Sequence, residues 1–115
     1  MLLNPVRDLQ ERLTLVVLAH QDVEKQAFEL ARLLMNPYTK WKAVADLIKN
    51  LGDVGDEARR IIAGYGTTVA LSGNPKTLQR GLLMIDCFYE PYYNVSGKTG
   101  LTKSCALLLQ PWKQK

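Results

Sequence analysis

The 115-residue sequence predicts an all-α bundle of about five helices, and three observations lead to that prediction. Apolar residues recur with helical periodicity in the long stretches of the chain. The dipeptide Asn-Pro precedes three amphipathic stretches, at residues 4–5, 36–37 and 74–75. Sustained alternation of apolar and polar residues, which a strand requires, is missing, and the nearest candidate at 67–71 is too short.

Each Asn-Pro dipeptide predicts both the end of one helix and the start of the next. The Asn side chain accepts a hydrogen bond from a free backbone N–H of the first helical turn. Proline suits that turn because its missing N–H would have no partner there. The residue before proline is driven out of the α region, which stops any preceding helix.

The first predicted helix is long, covering about 5–35 and packing lengthwise on the shorter helices. Its apolar residues alternate at spacings of three and four, the pattern of a coiled-coil seam. The seam consists of Val6, Leu9, Leu13, Val16, His20, Val23, Ala27, Leu30 and Leu34. About 31 residues give roughly 46 Å, longer than a globule of this size is wide. The helix therefore bends, projects, or packs against a second chain.

The next two helices are predicted at 37–51 and from Asp53 to about residue 71. The core face of the second comprises Trp41, Val44, Ile48 and Leu51. The third is predicted to bury Ala58, Ile61, Ile62, Tyr65 and Val69. Gly64 and Gly66 each cost that helix about 1 kcal/mol relative to alanine, so its second half is its least favourable part.

A fourth helix is predicted at 75–90, ended by Pro91, and a fifth at 102–110. The fourth is predicted to bury Leu78, Leu82, Ile85 and Tyr89. Residues 92–100 are predicted to form a loop with flexible points at Gly97 and Gly100. The fifth helix presents Cys105, Leu108 and Leu109 to the core. The chain thus forms one domain over 1–110, followed by a short basic tail at 111–115.

Composition predicts an intracellular, cytoplasmic protein without membrane contact, with a nuclear location left open. Apolar residues make up 47% of the chain and charged residues 23%, as in ordinary globular proteins. The longest mostly apolar run, residues 13–19, is far shorter than the roughly 20 residues that span a bilayer. The start of the chain lacks the pattern of a secretory signal. Cys87 and Cys105 are expected to be reduced, buried thiols.

Catalytic and metal-binding patterns are weak, so the sequence predicts no enzyme, no cofactor and no metal site. Residues 96–99 (Ser-Gly-Lys-Thr) match the end of a phosphate-binding loop, but the glycine required five residues before Gly97 is Tyr92. A surface loop is the better interpretation. His20, the single histidine, lies on the seam, where it can set helix register, form a pH-sensitive contact, or take part in chemistry.

Two binding functions remain. Residues 73–115 hold six basic and two acidic side chains. The basic group Lys98, Lys103, Lys113 and Lys115, with Trp112 as a stacking ring, makes nucleic-acid binding the alternative function.

The favoured function is binding to another protein by a small regulatory module, with homodimerisation through the first helix. Leu18 lies opposite the seam, and Leu15 and Leu33 lie on one flank. These leucines are the predicted interface, with His20 packed in the seam. Size and helical pattern are also typical of viral or phage accessory proteins, a likeness of class that assigns no residue a role.

Overall fold

The computed structural model describes residues 23–51, 55–93 and 95–113 of the chain. Within these ranges there are five α-helices, one short 3₁₀-helix and no strand. The helices are α1 (23–35), α2 (Trp41–Asn50), α3 (Gly55–Ala70), α4 (Pro75–Cys87) and α5 (Gly97–Leu109), and the 3₁₀-helix is Pro111–Lys113. The predicted all-α class with five helices is confirmed.

One hydrophobic core joins the five helices. α3 packs most extensively on α4, and α5 packs against α2, α3 and α4. The buried apolar side chains are Ala27, Leu30, Ala31, Leu34, Val44, Ile48, Leu51, Ala58, Ile62, Met84, Phe88, Leu101, Cys105, Leu108 and Leu109. Of the described residues of the predicted seam, Ala27, Leu30 and Leu34 are buried as expected, and Val23 is half-buried.

The predicted helix over 5–35 is described only from residue 23 onward, because residues 5–22 lie outside the described ranges. The described part is shorter than α3, so α1 is not notably long within these ranges. The Phe28 ring meets the Tyr65 ring of α3 edge-on, with centroids 6.3 Å apart. Arg80 of α4 donates from Nε and Nη2 to the carbonyl oxygen of Leu34, at 2.9 and 2.7 Å. These contacts hold α1 to α3 and α4.

The helix start predicted at Asn74-Pro75 is confirmed, whereas the one at Asn36-Pro37 is wrong. Asn74 accepts a hydrogen bond from the backbone N–H of Lys76 at 3.0 Å and caps α4. Asn36 accepts the Tyr38 N–H at 2.9 Å in the same way, yet α2 begins only at Trp41. Thr39 explains the difference, because its hydroxyl donates to the Leu33 carbonyl at 2.6 Å and ties the segment back onto α1. The dipeptide at 4–5 lies outside the described residues.

The predicted core face of α4 is wrong. Leu78, Leu82 and Tyr89 are exposed by 40%, 53% and 72%, and Ile85 is half-buried. The face that packs inward instead carries Gly81, Met84 and Phe88. The cause is a close helix crossing. A Cβ added at Gly66 or Gly81 would lie 3.0 or 2.9 Å from the carbonyl oxygen of the other glycine.

The predicted loop over 92–100 is also partly wrong, because α5 begins at Gly97 rather than at residue 102. The Ser96 side chain accepts the backbone N–H of Thr99 at 3.2 Å and caps the helix. Gly97 lies against Gly55 at the start of α3, and Gly100 lies against the ring of Tyr92. Glycine at positions 55 and 100 therefore allows close packing, and Gly97 lies within the first turn of α5 rather than in a flexible loop. α4 ends at Cys87, three residues earlier than predicted.

Candidate partner-binding cleft

A cleft of about 650 Å³ lies between the C-terminal half of α4, residues 89–93 with Val95, and α5. Ser104 and Gly100 of α5 line it together with Tyr92. Its margin carries five apolar or aromatic side chains that are each at least partly open to solvent. These are Leu83, Tyr89, Tyr93, Val95 and Leu107. Scattered exposed apolar residues are ordinary, but their concentration around one concave surface makes this cleft the candidate site of the described residues.

Tyr92 gives this cleft a fixed inner surface. Its hydroxyl lies 2.9 Å from the hydroxyl oxygen of Ser104, and its ring covers Gly100, where a Cβ would collide with it. Its backbone N–H donates to Oδ1 of Asp56 at 3.2 Å. Burial is the main cause that raises the pKa of Tyr92 to about 12, so the hydroxyl stays protonated at neutral pH.

Arg59 of α3 holds the segment that follows α4. Its side chain is buried, and Nη1 donates to the carbonyl oxygens of Phe88 and Tyr89 at 2.9 and 3.1 Å. Nε donates to Oδ1 of Asp56 at 2.8 Å, and this bond is the largest cause that lowers the pKa of the Asp56 carboxyl. One arginine thus anchors the backbone of Tyr89, although the Tyr89 ring itself is exposed.

The charges around the cleft are mixed and unpaired. Asp86 and Glu90 line the side formed by α4 and the residues that follow it, and Lys103 lines the α5 side. The ion pairs of the described residues leave all three of these side chains without an oppositely charged partner. The cleft therefore offers two carboxylates on one wall and an ammonium on the other.

The cleft holds one thiol, which is poorly suited to nucleophilic chemistry. Cys87 is half-buried, and burial, followed by the charge of Asp86, raises the pKa of its thiol. A protonated thiol is a weak nucleophile at neutral pH. Cys105 is buried in the core, where burial also raises its pKa. Across the ranges that the structure describes, no three His, Cys, Asp or Glu side chains cluster to hold a metal ion.

The predicted interface residues fall mostly outside the described ranges, as Leu15, Leu18 and His20 do. Leu33 is described; it is half-buried and packs against the core. Their role in an interface stays a prediction.

Of the predicted nucleic-acid residues, Lys98 and Lys103 lie on different faces of α5. Lys98 donates from Nζ to the Lys49 carbonyl at 3.1 Å, at the end of α2, while Lys103 lines the cleft. The two lysines lie about 140° apart around α5. Trp112 is 64% exposed and Lys113 is exposed beside it on the 3₁₀-helix, and Lys115 lies outside the described residues.

Sequence reasoning missed most of the cleft, although one signal was present. The sequence pattern indicated no role for Tyr92 or Tyr93 in binding a protein partner. Leu78, Leu82, Leu83 and Tyr89 add an apolar surface to α4 beyond the face that Met84 and Phe88 bury. A helix that is apolar on more than one face indicates a second contact surface.

Comparison with known proteins adds no assignment, since the chain matches no protein family, no curated protein and no solved structure. None of the described helices is long and apolar enough to cross a membrane. The cleft is therefore interpreted from its own geometry and chemistry.

Proposed function

We propose that this protein is a non-enzymatic module that binds another protein, and that the cleft between α4 and α5 is the binding surface. The observation that carries the proposal is the group of five exposed apolar or aromatic side chains around one concave surface. Tyrosine is enriched at protein interfaces because its ring adds contact area and loses little rotamer freedom on binding. Tyr89 and Tyr93, 72% and 82% exposed, are the residues best placed to do so.

Replacing Leu107 with Glu tests the cleft directly. A random peptide library displayed on phage is selected against the wild-type protein, and the enriched peptides are measured against two variants. Leu107→Glu should weaken binding about tenfold or more, because burying a leucine contributes about 1.5–3 kcal/mol. Leu71→Glu is the matched control, since Leu71 is 81% exposed and lies before α4, away from the cleft. An equal loss of peptide affinity in both variants, or no loss in either, would contradict a binding role for the cleft.

Self-association through the first segment is a second part of the proposal. It rests on the seam predicted over 5–35 and on the apolar side chains of Leu15, Leu18 and Leu33. We expect sedimentation at micromolar concentrations to show a dimer, which Leu18→Glu converts to monomer without changing the thermal melt. Leu13→Glu should instead unfold the chain, because Leu13 belongs to the seam. A monomeric wild type would remove this part of the proposal and leave the cleft untouched.

Nucleic-acid binding remains the alternative proposal, and the exposed pair Trp112 and Lys113 favours it. The cleft does not support it, because Asp86 and Glu90 would repel phosphates. The salt dependence of binding distinguishes the two proposed functions. Binding through phosphates weakens steeply with added salt, whereas an apolar interface responds little.

A further inference from the structure

We propose that the cleft recognises a cationic side chain, lysine or arginine, of a partner protein, held between the carboxylates of Asp86 and Glu90 and the exposed tyrosine rings. This inference rests on the proposed function and adds the chemistry of the residue that is bound. The observation behind it is the juxtaposition, in one cleft, of unpaired acids with aromatic rings.

The charge distribution of the cleft indicates that the ligand is positively charged. Asp86 and Glu90 line the same wall and are exposed, and within the described residues neither forms an ion pair or a hydrogen bond with a cationic side chain. Two like charges without an oppositely charged partner among the described residues attract a cation.

The rings make the cleft selective for an organic cation. Tyr89 and Tyr93 both line it and are both mostly exposed. The face of an aromatic ring carries negative electrostatic potential and attracts an ammonium or guanidinium group. The aliphatic part of a lysine or arginine side chain can lie along Leu83 or Leu107, as long charged side chains do on apolar surfaces.

Lys103 favours one orientation of the bound segment in the cleft. It lines the opposite side of the cleft and is likewise unpaired among the described residues. A second cation would be repelled there, whereas a carbonyl or carboxylate oxygen could accept a hydrogen bond from its ammonium. The cleft therefore suits an isolated basic residue in a partly apolar segment rather than a run of basic residues.

Nuclear magnetic resonance titration with two small probes tests the proposal. Nα-acetyl-lysine methylamide carries the cation, and Nα-acetyl-norleucine methylamide has the same stem without it. At millimolar concentrations the lysine probe should shift the backbone amides of Tyr89, Tyr93 and Val95 in a saturable way, and the norleucine probe several-fold more weakly. The double variant Asp86→Asn/Glu90→Gln should weaken lysine binding about tenfold.

The double variant Glu24→Gln/Glu29→Gln is the matched control. It removes the same charge from a different surface depression, on α1, and should leave lysine binding unchanged. Tyr93→Leu keeps apolar surface and removes the ring, so it should reduce the preference for lysine over norleucine even if the acidic variant folds poorly. Equal binding of the two probes at the cleft would overturn this inference and leave the proposed function intact. Shifts spread over the whole surface would overturn both.

Discussion

Replacing Gly55 with Ala is expected to lower the free energy of unfolding by about 3 kcal/mol, the upper part of the range for overpacking. The Cβ of an alanine at this position would collide with the Cα and carbonyl group of Gly97. Because the collision involves backbone atoms, no side-chain rotation relieves it, and the starts of α3 and α5 must separate. Urea denaturation followed by far-ultraviolet circular dichroism measures the change.

Gly64→Ala is the matched control, since it makes the same substitution within the same helix. No heavy atom lies within 4 Å of a Cβ built at Gly64, and its backbone is helical. The variant should therefore raise the free energy of unfolding by up to about 1 kcal/mol through helix propensity. If the two variants changed stability in the same direction, the contact between Gly55 and Gly97 would not form part of the folded protein.

Replacing Arg59 with Met is expected to destabilise the fold by about 3 kcal/mol, because buried carbonyl oxygens lose a charged donor. Phe88 is fully buried, so water cannot readily take the place of the guanidinium at its carbonyl. Methionine keeps much of the side-chain volume, which limits the effect of the cavity. The same variant should weaken any peptide bound in the cleft, since the backbone of Tyr89 loses its anchor.

Arg60→Met separates this effect from a general loss of charge. Arg60 neighbours Arg59, but its side chain is 68% exposed and its Nε lies 3.9 Å from Oδ2 of Asp56. Removing an exposed pair of this kind should change stability by about 0.5 kcal/mol or less. A comparable loss in the two variants would mean that the bonds to the carbonyl oxygens of Phe88 and Tyr89 contribute little.

The destabilisation caused by Arg59→Met should become smaller as the pH falls. The pKa of Asp56 is held below its ordinary value of 3.8, so the folded protein binds this proton less readily than the unfolded chain. The ionised Asp56 carboxylate therefore contributes its full stabilisation above the ordinary pKa of 3.8, and this contribution is lost as the pH falls through the lowered pKa. The bonds to the carbonyl oxygens persist in acid. The gap in stability between wild type and Arg59→Met should narrow below about pH 4 and should not close.

Arg59, which is buried, and Arg80, which is half-buried, show why contacts between helices could not be derived from local patterns. Arg80 binds the Leu34 carbonyl, 46 positions away, and Arg59 binds the carbonyl of Phe88, 29 positions away. In the sequence each is one of several positive charges on an amphipathic helix. Only the packing of α4 against α1 and α3 gives them partners. The backbone position of Tyr89, a cleft residue, follows from its bond with Arg59.

Helical class and the approximate positions of the helices were predictable from local physics. Asn74 caps α4, as predicted from its side chain and from the proline that follows it. Gly73, with a φ of +83°, turns the chain after α3. Periodicity also identified the buried residues of α2 that the structure shows, Val44 and Ile48. These features depend on interactions within a few residues, so the order of amino acids specifies them directly.

The face that α4 buries, and with it one wall of the cleft, depended on tertiary structure. α4 has two apolar faces, and the periodicity of its sequence does not indicate which of them is buried. The contact between Gly66 and Gly81 decides in favour of Met84 and Phe88 and leaves Leu82 and Tyr89 in solvent. Glycine contributes nothing to a hydrophobic pattern, yet it allows two backbones to meet. The need for glycine becomes apparent only when the second helix is in place, and the exposed apolar surface of α4 follows from that packing.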